Sequence, residues 1–172
     1  MFKSAIAAAA LATAAAIAYA AAPAPSDPQI AHIAYTAGAL DVTAAKQALR
    51  KSHNPKVRAF AETMVRDHEA VNAKALALVK KLGVTPEPNP TSTALSQAAD
   101  KELKAEGALS GAAFDRAYLK NEVAYHRTVN DALRTTLIPS ARNAELKSLL
   151  QTGLTLFGEH QQHAEALVKA VG

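Results

Sequence analysis

The sequence predicts an all-α fold, a bundle of four long helices with one crossover, on three observations. Apolar residues recur in alternating steps of four and three over four separate stretches, as one face of a helix requires. Prolines lie at the starts of those stretches or between them, where helices tolerate them. Alanine supplies much of the 49% hydrophobic fraction of the 172 residues, while Trp and Cys are absent and aromatics make up 5%. Such a composition suits closely packed helices better than sheets. No segment alternates with period two between turn residues, so no strand is expected.

Helix one is expected over about 28 to 51. Asp27 is a good N-cap with Pro28 at the first helical position, and the stripe Ile30, Ala34, Ala37, Asp41, Ala44, Ala48 follows. Asn54-Pro55 repeats that start, and Val57, Ala61, Met64, His68, Val71, Ala75, Leu78 and Leu82 carry helix two, about 55 to 82, to a glycine stop at Gly83. Residues 85 to 93, TPEPNPTST, hold three prolines and no periodicity and read as a linker; a short helix over about 94 to 106 ends at Gly107. Nine extended residues reach ~30 Å and a helix of about fourteen residues ~21 Å, enough to cross the length of a bundle and make helices two and three parallel. Helix three is expected from after Ser110 to about 137, with Leu119, Glu122, His126, Val129 and Leu133 on one stripe and Pro139 as its stop. Helix four, about 141 to 171, carries Leu146, Leu150, Gly153, Phe157, His160, Ala164, Leu167 and Val171. One crossover between the second and third of four helices is the ferritin-like arrangement; the alternative is plain up-down-up-down order.

Residues 1 to 20 read as a secretory signal peptide: a cation at Lys3, an apolar run from Ala5 to Ala18, and the small-x-small triplet Ala18-Tyr19-Ala20. That run is shorter than the ~20 residues a bilayer requires, and Pro23 and Pro25 follow it, so no integral span is expected after cleavage. The organisation is then a cleaved peptide 1–20, a flexible spacer 21–27, and a four-helix bundle domain 28–172, released into the periplasm. Without cysteine there is neither a lipid-acceptor thiol nor a disulfide. The formal charge of +4 falls to +3 when Lys3 is removed, and the charges are interspersed in sign. That pattern and export argue against nucleic-acid binding and leave peripheral envelope association and homo-oligomerisation open.

Three of the six histidines stand where a packing stripe demands an apolar residue: His68 between Met64 and Val71, His126 between Glu122 and Val129, and His160 between Phe157 and Ala164. Glu122 and Asp41 lie on inward stripes as well, where an unpaired carboxylate is expensive. Imidazole and carboxylate converging at one level are what zinc, iron or copper accept. Glu122 and His126 are one turn apart and can serve one ion from a single helix; His163 sits at the edge of its stripe. Counted along the helices, His68, Glu122 and His126 share a level, with Asp41 and His160 roughly a turn away. His32 and His53 are assigned to solvent, and Phe114, Tyr118, Tyr125 and Phe157 to the core. No catalytic constellation appears: there is no thiol, no Gly-Xaa-Ser-Xaa-Gly elbow and no glycine-rich phosphate loop.

The runs FAETMVRDHEAVNAKALAL, FDRAYLKNEVAYH and LFGEHQQHAEAL resemble the bacterial domain-of-unknown-function family 4142, exported ferritin-like bundles often labelled outer membrane proteins. The resemblance covers about residues 27 to 170. It implies that His68, His126 and His160 match the family's recurrent histidines, and that Asp41 stands where an acidic residue is usual. Di-iron bundles pair Glu-Xaa-Xaa-His motifs, whereas Val65 and Phe157 precede His68 and His160 by three here, which argues against ferroxidase or iron-storage activity. The leading expectation is a periplasmic bundle binding a transition metal through His68, Glu122, His126, His160 and Asp41, for sequestration, sensing or stress tolerance. The rival is an envelope structural or interaction protein in which the same side chains form a buried hydrogen-bond network. A metal-dependent oxidoreductase is a third and weaker reading.

Overall fold

The structure, a computed structural model, describes residues 23–171. The expected signal peptide and the first residues of the spacer lie outside the described part. Helix α1 spans Asp27–Lys51. Its N-cap is Ser26 and not Asp27: the Ser26 hydroxyl accepts from the Gln29 amide, and the Gln29 side chain accepts from the Ser26 amide. Asp27 is thereby released for a longer-range task. Its two carboxylate oxygens accept the backbone N–H groups of Arg142 and Asn143, each at 2.8 Å.

Helix α2 spans Pro55–Leu82, capped by the Asn54 side chain and closed by Gly83, whose φ of 64° is left-handed. Helix α3 spans Pro90–Gly107, four residues longer at its start than the sequence suggests. Asn89 and Ser92 form a capping box there, so Asn89-Pro90 is a third cap-then-proline start hidden inside a proline-rich run. Helix α4 spans Gly111–Ala132.

Pro139 does not stop the chain of turns after α4. A π-helical turn, Leu133–Leu137, comes first, with the Ile138 amide donating to the Leu133 carbonyl five residues back, and the short helix α5, Ile138–Ser140, then carries Pro139 near its start. Proline has no N–H to give and is tolerated in a first helical turn. Helix α6 is Ala144–Val171, later in starting than expected because Asn143 accepts from the amides of Glu145 and Leu146.

The directions follow from side-chain bonds. Asn89 donates to the Gln29 carbonyl at one end of α1, Gln47 to the Leu103 carbonyl further along, and Lys51 to the Gly107 carbonyl at the other end. Helix α3 therefore runs beside α1 in the same direction and carries the chain back across the bundle. As a result α2 and α4 are parallel, and α1 and α6 are parallel, the ferritin-like arrangement. The α1/α2 and α4/α6 pairs pack most extensively. Two apolar clusters fill the interior. One gathers Val57, Phe60, Met64, Phe114, Tyr118, Leu119 and Ala164; the other Ile30, Ile33, Leu133, Leu137, Leu146, Leu150 and Phe157. Full burial of a large apolar side chain stabilises by about 1.5–3 kcal/mol. Among the described residues no helix is long and apolar enough to cross a membrane.

Asp27→Ala is expected to cost about 1–3 kcal/mol, because two amide donors lose a charged acceptor. Urea denaturation reads it, and an unchanged midpoint would show that the tie between α1 and α6 carries no stability.

Candidate metal centre

Between the two apolar clusters lies one polar level. His68 from α2, His126 from α4 and His160 from α6 are all buried, at 3%, 1% and 4% exposure. Their ring centroids form a near-equilateral triangle: 5.6 Å from His68 to His126, 5.3 Å from His68 to His160 and 5.5 Å from His126 to His160. Each offers a nitrogen lying within 4.8 Å of the others. Asp41 from α1 completes the level, with Oδ2 3.4 Å from His68 Nε2 and 3.6 Å from His126 Nε2. Asp41, Glu122 and His126 form a second group of donor atoms within 4.8 Å of one another. The structure thus brings all five sequence-selected residues together. The axial gap expected for Asp41 and His160 closes, since helical side chains lean toward the N-terminus and those of antiparallel neighbours lean toward each other.

The tautomers are set from outside the triangle. His126 Nδ1 donates to the Glu122 backbone carbonyl at 3.0 Å, which leaves the lone pair on Nε2. His160 Nε2 donates to Asp67 Oδ2 at 3.0 Å, which leaves it on Nδ1. The freed atoms, together with both ring nitrogens of His68, both oxygens of Asp41 and Oε2 of Glu122, are buried with no hydrogen-bond partner among the described residues. Contacts of 3.4–3.6 Å between these groups are too long or too poorly directed to count as made bonds. Buried polar atoms left this way cost about 1–3 kcal/mol each, a cost that a bound ion or ordered waters would relieve. Phe157 stacks on His68 at 4.6 Å and 10°, an apolar ring where a di-iron bundle would supply a bridging carboxylate.

Burial pushes the Asp41 carboxyl well above the usual range, with the Glu122 charge adding to it. Burial and then the Glu106 charge push Glu122 up to about 8. Burial first, then the neighbouring His126, holds His68 down to about 2, and burial also lowers His160. All of these shifts favour neutral groups: imidazoles with free lone pairs and carboxyls that keep a proton.

Asp67 is the residue that sequence reasoning passed over. It lies between Arg66 and His68 on α2 and falls off the inward stripe, with its side chain 17% exposed. The Arg66 guanidinium, 2.8 Å away, holds its carboxyl below the usual range, so it stays ionised beside His160. The run Arg66-Asp67-His68 was the available signal. His163 is exposed and sets its ring edge-on against Phe60, away from the triangle.

A sequence model of the domain of unknown function DUF4142 matches residues 12–167. No protein of curated function matches the sequence. Among solved structures, "CopM in the Cu(II)-bound form" is similar to this chain, with a TM-score of 0.65 and 12% identity, over 86% of this chain and 99% of its own. That likeness is one of fold.

The shifts fix a pH dependence for the metal-free protein. Glu122 and Asp41 keep protons in the fold that the unfolded chain releases, so stability falls as pH rises above the ordinary carboxylate range, the Glu122 part being lost through about 8. His68 refuses a proton that the unfolded chain takes up, so stability also falls as pH drops below about 6.5. Denaturation midpoints with a chelator present should therefore peak at mildly acidic pH, and Glu122→Gln should flatten the alkaline decline. An equally steep decline in that variant would rule Glu122 out as the titrating group.

Proposed function

We propose that this chain, which belongs to the DUF4142 family, is an exported protein that captures and sequesters one transition-metal ion inside its bundle. His68, His126, His160 and Asp41 are the ligands, and Glu122 balances charge beside them. The observation that carries this reading is the convergence of buried, unpartnered nitrogen and oxygen atoms on one level from four helices. The numbers of charges agree as well: two carboxylates neutralise a divalent ion among three neutral imidazoles.

Two of the three histidines have an orienting partner of the kind metal-bound histidines use, Asp67 for His160 and the Glu122 carbonyl for His126. Imidazole-rich sites suit copper, zinc and iron, and copper(II) ranks first in affinity for such donors. A bundle of this fold is known with Cu(II) bound, in the CopM structure. The absence of Glu three residues before His68 and His160, and the Phe157 ring on His68, favour one ion over a bridged pair. Export rests on the signal-peptide pattern of residues 1 to 20 and points to the periplasm, with attachment to the envelope as an additional arrangement.

Titration calorimetry and elemental analysis test the site. One copper(II) or zinc(II) per chain is expected, with tight binding lost in His68→Ala and His126→Ala, and a melting temperature that rises with metal concentration. Asp67→Asn should weaken affinity by about 10–100-fold while leaving the stoichiometry intact, because it releases the His160 ring without removing a ligand. The hydrogen-bond-network alternative gives a different pattern: each histidine variant would lose about 1–3 kcal/mol whether or not metal is present, and the wild type would bind none.

Intact-mass measurement on a periplasmic extract tests export. A mature chain beginning near Ala21 is expected, and recovery only in the inner-membrane fraction with residues 1 to 20 attached would overturn the location.

A further inference from the structure

A cleft of about 210 Å³ opens beneath α3, between it and helices α1 and α4. Its walls are kept open by small side chains, Ala44 on α1 and Ala99 on α3. Its polar groups are graded by depth. Glu102 is exposed, Asn121 is half-buried, and Glu122 and Asp41 lie at the bottom, 1% and 2% exposed. Both buried carboxylates carry oxygens with no hydrogen-bond partner among the described residues. One of those oxygens, Asp41 Oδ2, is also the atom 3.4 Å from His68 Nε2, so the floor of the cleft is the edge of the histidine triangle. One turn along α3 from Glu102, Glu106 is buried near Glu122, and burial followed by the Glu102 charge pushes its carboxyl up to about 7.

A second approach lacks charged side chains. A larger cavity of about 640 Å³ extends on the far side of Phe157, lined mainly by aliphatic side chains and without a charged one. A hydrated cation gains nothing there to replace its water, whereas carboxylates in series offer that replacement at each step.

We propose that the cleft beneath α3 is the path by which a hydrated divalent cation enters the bundle, met at the mouth by Glu102 and handed through Glu122 and Asp41 to the three histidines. This rests on the reading of the histidine level as a metal site. The crossover helix is then a functional wall as well as a connection, and the residues at the mouth and walls of the path govern rates, while the histidines, Asp41 and Glu122 govern affinity. Obstructing a path slows entry and exit alike and leaves the equilibrium constant where it was.

Stopped-flow mixing of the full mature chain with zinc(II) or copper(II), read through a chelating dye, gives the rates; calorimetry gives the affinity. Ala99→Leu should slow association and dissociation on the order of tenfold with an unchanged Kd. Glu102→Gln, an exposed change that leaves the core alone, should slow association and weaken its dependence on salt. Ala75→Leu, which narrows the apolar cavity, should change neither rate. If the wild type binds one ion and both cleft variants associate at its rate, the path is wrong and the site stands. Slowing by Ala75→Leu alone would place entry on the apolar side and overturn the path as well. A wild type that takes up no ion overturns the site and the path together.

Discussion

The fold is organised around the cost of removing polar atoms from water in the middle of an apolar interior. Above and below the histidine level the helices bury mostly hydrocarbon, and there a shift of register would cost packing and a few interhelical bonds such as those of Asp27 and Asn130. At the level itself a shift would separate His126 from Asp41 and His160 from Asp67, exchanging near-contacts for isolated buried groups. Isolated charges or donors in such surroundings are more expensive than a missing methylene. The level therefore fixes the relative heights of α1, α2, α4 and α6 in a way the alanine-rich stripes alone could not, since small side chains slide past one another with little penalty.

The crossover turns this constraint into an asymmetric site. With α3 laid along α1 and tied at Gln29, Leu103 and Gly107, one side of the bundle has an extra wall and a cleft that holds three carboxylates. Nearer the start of α3, an aliphatic cavity without charged side chains meets the Phe157 ring that stacks on His68. A plain up-down-up-down bundle with short loops would present neither. The same linker that sets α2 parallel to α4 thus also decides which chemical environment each face of the triangle meets.

Much of this was legible in the sequence because the signal was periodic. Helix α2 could be bounded from Asn54-Pro55 and Gly83, and an inward histidine or carboxylate was visible as a break in an apolar stripe. What escaped notice was interaction that has no period. Asp67 lies off the stripe and matters only because α6 brings His160 to it, and Asn89 caps α3 from within a run that reads as linker. Ser26 displaced Asp27 as a cap because Asp27 has a partner more than a hundred residues away, which local pattern cannot show. The shared height of Asp41 and His160 depended on side-chain lean, which residue counting ignores. Pro139 was read as a stop because proline usually is one, yet the π turn before it lets the chain continue.

The tie from Asp27 to the amides of Arg142 and Asn143 bears on the order in which the molecule is assembled. The bond joins positions 115 and 116 residues apart. A chain that emerges N-terminus first, from a ribosome or a translocation channel, presents α1 long before its partner exists. Helix α1 can pair with α2 early, but the latch at its beginning waits until nearly the whole domain has appeared. Contacts of such separation form late and slow folding. Closure of the four-helix interior therefore waits on the last helix, which brings both the latch and His160.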